Sequence, residues 1–154
     1  MLQRPQAIDR DPQDMTEPVI SNADLDEIRA LFLRQAAGES SQNIEAVDAV
    51  LARAAPGQPD PVAFVARAYR FWGREAVLDH FRTVFKGTWR FEPDLSSLRI
   101  TPISADTAHI YAPTLNTLGP AGGPAATYAF LVNEFAVRTQ EGWRIATIVP
   151  VPAQ

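Results

Sequence analysis

This sequence predicts an α+β roll: three N-terminal helices laid on one face of a strongly curved antiparallel sheet. Two observations carry that expectation. Apolar residues recur at helical spacing before Lys86, whereas from Gly87 onward the chain alternates in strand-like segments broken by turn signals. Helices gathered ahead of strands sort into packed layers rather than into alternating βαβ units. A length of 154 residues, 46% apolar and 21% charged, fits one domain around one core.

Residues 1–20 mix proline, glutamine and charge without periodicity and read as a flexible arm, with a single domain over residues 21–154. Ser21-Asn22-Ala23-Asp24 matches a capping box, a hydroxyl at the cap with a carboxylate three residues on. Leu25, Ile28, Leu31 and Phe32 follow at helical spacing up to Gly38, which suits a helix stop. Ser40, Ser41 and Asn43 offer caps for a second helix, whose apolar positions Ile44, Val47, Val50, Leu51 and Ala54 run up to Pro56-Gly57-Gln58-Pro59. Val62 to Val65 reads as a short strand that Arg67 to Phe71 could continue. Gly73 breaks the segment. Arg74 to Lys86 then reads as a third helix, with Val77, His80, Phe81, Val84 and Phe85 on or near one stripe. Trp89–Phe91, Leu95–Thr101, Ala108–Leu118, Ala126–Thr139 and Trp143–Val149 read as strands, and two of the breaks between them are short enough for hairpin turns.

Composition removes several function classes. Fourteen basic against eighteen acidic side chains give a net charge of −4, the wrong balance for non-specific nucleic-acid binding, which works by neutralising phosphates. No apolar run approaches the roughly 20 residues that span a bilayer, so no membrane partner is expected. Residues 1–20 hold no apolar stretch of the secretory type, and with no cysteine in the chain the cytoplasm is the default compartment. Prolines interrupt Gly119-Pro120-Ala121-Gly122-Gly123-Pro124 where a phosphate cradle needs N–H donors, and neither a nucleophile elbow nor His-Glu-x-x-His occurs. No metal and no cofactor is called for.

Several strings carry a family resemblance. Phe71-Trp72-Gly73-Arg74-Glu75-Ala76-Val77, leading into an amphipathic helix, resembles a helix start of the nuclear transport factor two-like superfamily. The segment from Phe135 to Ile145, in which a turn with Gly142 precedes Trp143-Arg144-Ile145, resembles its closing strand pair. The first helix ending near Gly38, with a second beginning at Asn43, is similar to its opening. The likeness runs from about residue 22 to 150 and is nearest to the SnoaL-like bacterial branch. It implies a cystatin-like cone with an apolar pocket, commonly a homodimer. The functions it implies range over ketosteroid isomerase, polyketide cyclase, dehydratase, epoxide hydrolase and association modules, among which fold cannot choose. In the steroid isomerases the base is an Asp in the strand before the third helix, a position that falls near Phe64 here, and a donor Tyr stands on the first helix, which has none here. Both departures count against that mechanism. Asp60 is the nearest acid, but Pro59-Asp60-Pro61 reads as a solvated turn.

Acid/base chemistry in an apolar hollow needs a titratable group shifted by burial and a donor for developing negative charge. Alternation puts His109 and Tyr111 on one face of their strand. If that face lines the hollow, imidazole and phenol form a catalytic pair; if it is the outer face, they belong to a dimer contact. His80 lies near the apolar stripe of the third helix, where a helix histidine bonded to a backbone carbonyl is the plainer expectation. Tyr128, Phe130, Val132 and Glu134 share one strand face, Leu131, Asn133 and Phe135 the other. Glu134 is expected to meet Arg99, Arg138 or Arg144 across the sheet, because a buried carboxylate is costly unpaired. Asn133 or Asn116 could orient a substrate carbonyl, and Trp72, Trp89 and Tyr128 could add aromatic wall. The function expected first is binding of a small apolar, carbonyl-bearing molecule, with cofactor-free isomerisation, cyclisation or dehydration by proton transfer. Its alternative is a non-catalytic dimeric binding or association module.

Overall fold

The computed structural model describes residues 20–153. The arm expected over residues 1–20 lies outside the described residues except for Ile20, which is buried in the core. Helix α1 (Asn22–Ser40) starts as its sequence requires: Ser21 Oγ accepts from Asp24 N–H at 3.1 Å, and Asp24 Oδ2 accepts from Ser21 N–H at 3.0 Å. The helix passes through Gly38, which does not stop it. A Cβ on Gly38 would come 3.0 Å from Ala46 Cβ, so this glycine permits the close approach of α2 (Ile44–Val50). Gln42 ends the helix instead, at φ 54, with Asn43 N–H donating to Gly38 O at 2.9 Å. Helix α2 also ends earlier than Ala54. Leu51 turns extended and bridges Ile145, and Ala52 N–H donates to Ile145 O at 2.7 Å.

Strands β1 (Ala63–Val65) and β2 (Arg70–Trp72) form an antiparallel hairpin, folded back by a bond from Ala66 N–H to Tyr69 O, where one continuous extended segment was expected. Helix α3 (Arg74–Val84) has Gly73 at its cap, at φ 92, and no capping side chain of its own. Asp60 serves that end from a distance, accepting from Arg74 N–H at 2.8 Å and Val62 N–H at 2.9 Å. The turn carboxylate is therefore a structural clip between β1 and α3.

The remaining strands are β3 (Thr88–Pro93), β4 (Arg99–Ser104), β5 (Thr107–Gly119), β6 (Ala126–Thr139) and β7 (Gly142–Pro152), in a seven-stranded sheet of order β2-β1-β7-β6-β5-β3. β3 covers the C-terminal half of β5 and β4 its N-terminal half, separated by a 3-10 turn at Leu95–Ser97 where continuous strand was expected. All pairs are antiparallel except β1 with β7. The register of β6 against β7 shifts between Glu134 and Ala136, which face Ile148 and Ile145. The extra residue on β7 is a bulge, and a bulge bends its strand.

Inward-facing residues are small or apolar under the helices: Ala108, Ile110 and Ala112 of β5, with Val132 and Ala136 of β6. Ile28, Leu31 and Phe32 of α1, and Val77, Leu78 and Phe81 of α3, close onto them in one core. Trp143 is fully buried; its Nε1–H donates to Asp24 Oδ1 at 3.1 Å while the Arg138 guanidinium lies 4.7 Å over its ring. Arg138 also forks onto both Asp24 oxygens at 3.0 Å, tying the start of α1 to the closing hairpin. That bonding holds the Asp24 carboxyl below the usual carboxylate range. No helix among the described residues is long and apolar enough to cross a membrane.

Candidate functional site

Beyond the packed end of the core, sheet and helices separate around an apolar cavity of about 900 Å³. Its walls are the concave side of the sheet, with Asn116 on β5, Val132 on β6 and Ile148 on β7, facing Phe64 of β1 and His80 of α3. Exposed residues on its lining, including Arg67, Tyr69, Lys86 and Tyr128, mark the mouth.

Glu39, on the last turn of α1, lines the cavity and is 2% exposed. Trp89 Nε1–H donates to its Oε1 at 3.0 Å, and Gln35 Nε2–H to its Oε2 at 2.9 Å. Burial pushes its carboxyl up to about 7, against the pull of those two donors. Gln35 also donates to Glu134 Oε1 at 2.6 Å, so one carboxamide nitrogen bridges two buried carboxyls. Glu134 is fully buried, and desolvation, together with the neighbouring charge of Glu39, drives its carboxyl well above the ordinary range. Gln35 Oε1 and Glu134 Oε2 are both buried without a partner. Two neighbouring carboxyls, both pushed above the ordinary carboxylate range by burial, suit acid/base chemistry.

His80 packs among aromatic rings, 4.7 Å from the Phe64 centroid and 4.8 Å from that of Phe71. Burial lowers it to about 4, so the imidazole is neutral at physiological pH. Its Nε2 is a buried orphan, as is Asn116 Oδ1 across the cavity lining. The histidine expected to bond a backbone carbonyl therefore has no partner at its buried Nε2.

Of the residues singled out from sequence, the structure brings His80, Trp89, Asn116 and Tyr128 to the cavity. It sets His109, Tyr111 and Asn133 elsewhere. Strand alternation turns Ala108, Ile110 and Ala112 inward, and His109 and Tyr111 consequently face out from the opposite side, with His109 Nε2 3.0 Å from Asn133 Oδ1. The proposed catalytic pair thus lies outside the cavity, as does Trp72, which is 70% exposed on β2. Glu134 does not meet an arginine: Gln35 is its partner, while Arg138 pairs with Asp24. Glu39 and Gln35 were missed, though their spacing of four residues on a helix was the signal available. Among the described residues no group of three or more His, Asp or Glu is placed to hold a metal ion.

A family model described as a SnoaL-like domain matches residues 28–149. No functionally curated protein matches the chain. Many solved structures share its fold, among them the following three. A candidate dehydratase of the nuclear transport factor two-like family from Streptomyces avermitilis is 16% identical at a TM-score of 0.72, over 86% of this chain and 97% of that one. A protein with a cystatin-like fold from Caulobacter vibrioides, uncharacterised in function, is 15% identical at 0.69, over 86% and 92%. A candidate Ca/calmodulin-dependent kinase II association domain from Exiguobacterium sibiricum is 18% identical at 0.68, over 90% and 98%. Likeness at such identities establishes the cone-like α+β architecture and leaves the chemistry to the site.

Proposed function

The chain belongs to the SnoaL-like domain family, and from that premise we propose that its cavity binds a small apolar, carbonyl-bearing molecule and moves a proton on it without a cofactor. One observation carries this reading: Glu39 lies on the cavity wall with its carboxyl pushed up to about 7 and its oxygens held by Trp89 and Gln35. A group titrating near the working pH is present in both forms, which is what a residue that takes and then returns a proton requires. As carboxylate, Glu39 removes a proton from the carbon next to the ligand carbonyl, and the electron pair passes to the carbonyl oxygen. The Asn116 carboxamide, whose Oδ1 has no protein partner, faces the same space and supplies N–H groups for that oxygen. Glu39 then returns the proton to the same or a conjugated carbon, so nothing is consumed.

Proton–deuterium exchange in heavy water tests this. Ketones that raise the melting temperature by occupying the cavity should exchange the hydrogens beside their carbonyl faster with the wild type, and not with Glu39→Gln. Cavity ligands that gain no exchange would overturn the catalytic reading and leave the binding-module alternative.

The convex face supports a second copy of the chain as partner. Tyr111, Pro113, Leu131 and Val149 stand there half-buried, with Leu115 52% and Val151 43% exposed, on adjacent strands. An apolar sheet face of this kind is what an isologous dimer covers.

A further inference from the structure

We propose that the ligand of this cavity carries an anionic group, a carboxylate or another oxyanion, held at the mouth by Arg67 and Lys86 while its apolar body points inward. The inference rests on the cavity being the binding site and adds the ligand's charge and direction. Two cationic side chains line the cavity, both exposed: Arg67 on the β1–β2 turn and Lys86 on the segment between α3 and β3. Neither has an ion-pair partner among the described residues. Among the described residues no acidic side chain lines the mouth, and the one carboxyl on the lining is that of Glu39, buried on the wall. On a chain of net charge −4 this entrance is a local reversal of sign.

Chemistry fixes which end goes in. An anion pushed to the wall would lose its hydration against Phe64, Phe91 and Val132 and would face the Glu39 carboxyl, both unfavourable. At the mouth it stays partly in water and meets the guanidinium fork and the ammonium. A volume of about 900 Å³ admits a body of two or three fused rings.

Two fluorescent probes with one body and different charge test the proposal. 1-Anilinonaphthalene-8-sulfonate carries a sulfonate; N-phenyl-1-naphthylamine has the same rings without it. The sulfonate should bind the wild type about fivefold more tightly at low salt, the effect of two partly exposed ion pairs. That advantage should shrink as salt is added. Each probe should displace the other, and the double variant Arg67→Gln, Lys86→Gln should lose the advantage while binding the neutral probe as before. Equal affinities in the wild type, or an advantage that survives in the double variant, would overturn the anionic assignment and leave the cavity reading standing. Binding of neither probe would overturn both.

Discussion

The indole Nε1–H of Trp89, on β3, donates to Glu39 Oε1, on the last turn of α1, at 3.0 Å. Both residues are buried, and both line the cavity. The bond favours the ionised carboxyl while burial opposes it, and burial is the larger influence. Trp89→Phe keeps the ring and deletes the donor. It should therefore move the titration of Glu39 upward from about 7, read as a shift in the pH profile of proton exchange, with ring packing retained.

Stability should depend on pH through the same carboxyl. Glu39 titrates at about 7 in the folded chain and at the ordinary glutamate value of 4.5 when unfolded. The folded state therefore holds more protons between those values, so this contribution is complete below about 4.5 and is lost as pH rises through about 7. The span corresponds to about 3 kcal/mol. Glu134 acts with the same sign. Urea unfolding of Glu39→Gln at pH 5 and pH 8 should show a smaller loss than the wild type, with a remainder due to Glu134.

His80 works in the opposite direction. Its folded value of about 4 lies below the ordinary histidine value of 6.5, so the unfolded chain binds the proton first. Its contribution is present above 6.5 and is lost as pH falls towards 4. Replacement by phenylalanine, which suits the neighbouring rings of Phe64 and Phe71, should reduce acid destabilisation over that interval by roughly 2 kcal/mol. Thermal unfolding at pH 7 and pH 4.5 measures it.

The outward face makes a separable prediction. Leu131→Glu places a charge on the apolar convex face without touching the cavity lining. Sedimentation should show a dimer for the wild type and a monomer for the variant, with ligand binding in the cavity unchanged. His109→Ala should likewise leave cavity binding intact, because that imidazole bonds Asn133 on the outer side.

Much of the fold was legible because its signals are local. The capping box at Ser21, the stripe of α3 and the alternation of β5 and β6 each depend on near neighbours in sequence. The site depended on facts that are not local. Alternation groups His109 with Tyr111 but does not say which group faces in; the helices decide that, and they need the small side chains Ala108 and Ala112 beneath them. Gly38 reads as a stop, yet it is there for its contact with Ala46. The helix therefore runs two residues further, to Ser40, and carries Glu39 to the wall. Glu134 reads as a carboxylate in need of a partner, but that partner is Gln35, 99 residues away in the chain, and not one of the arginines across the sheet.

Carbon-13 NMR of the glutamate side-chain carboxyls, recorded from pH 4 to pH 9 on wild type and Glu39→Gln, is the most direct test of the site. The resonance missing from the variant should titrate near pH 7 in the wild type, and should respond when a cavity ligand is added. A resonance that titrates near 4.5 and ignores the ligand would show that Glu39 is an ordinary carboxylate outside the binding site, and would contradict the account.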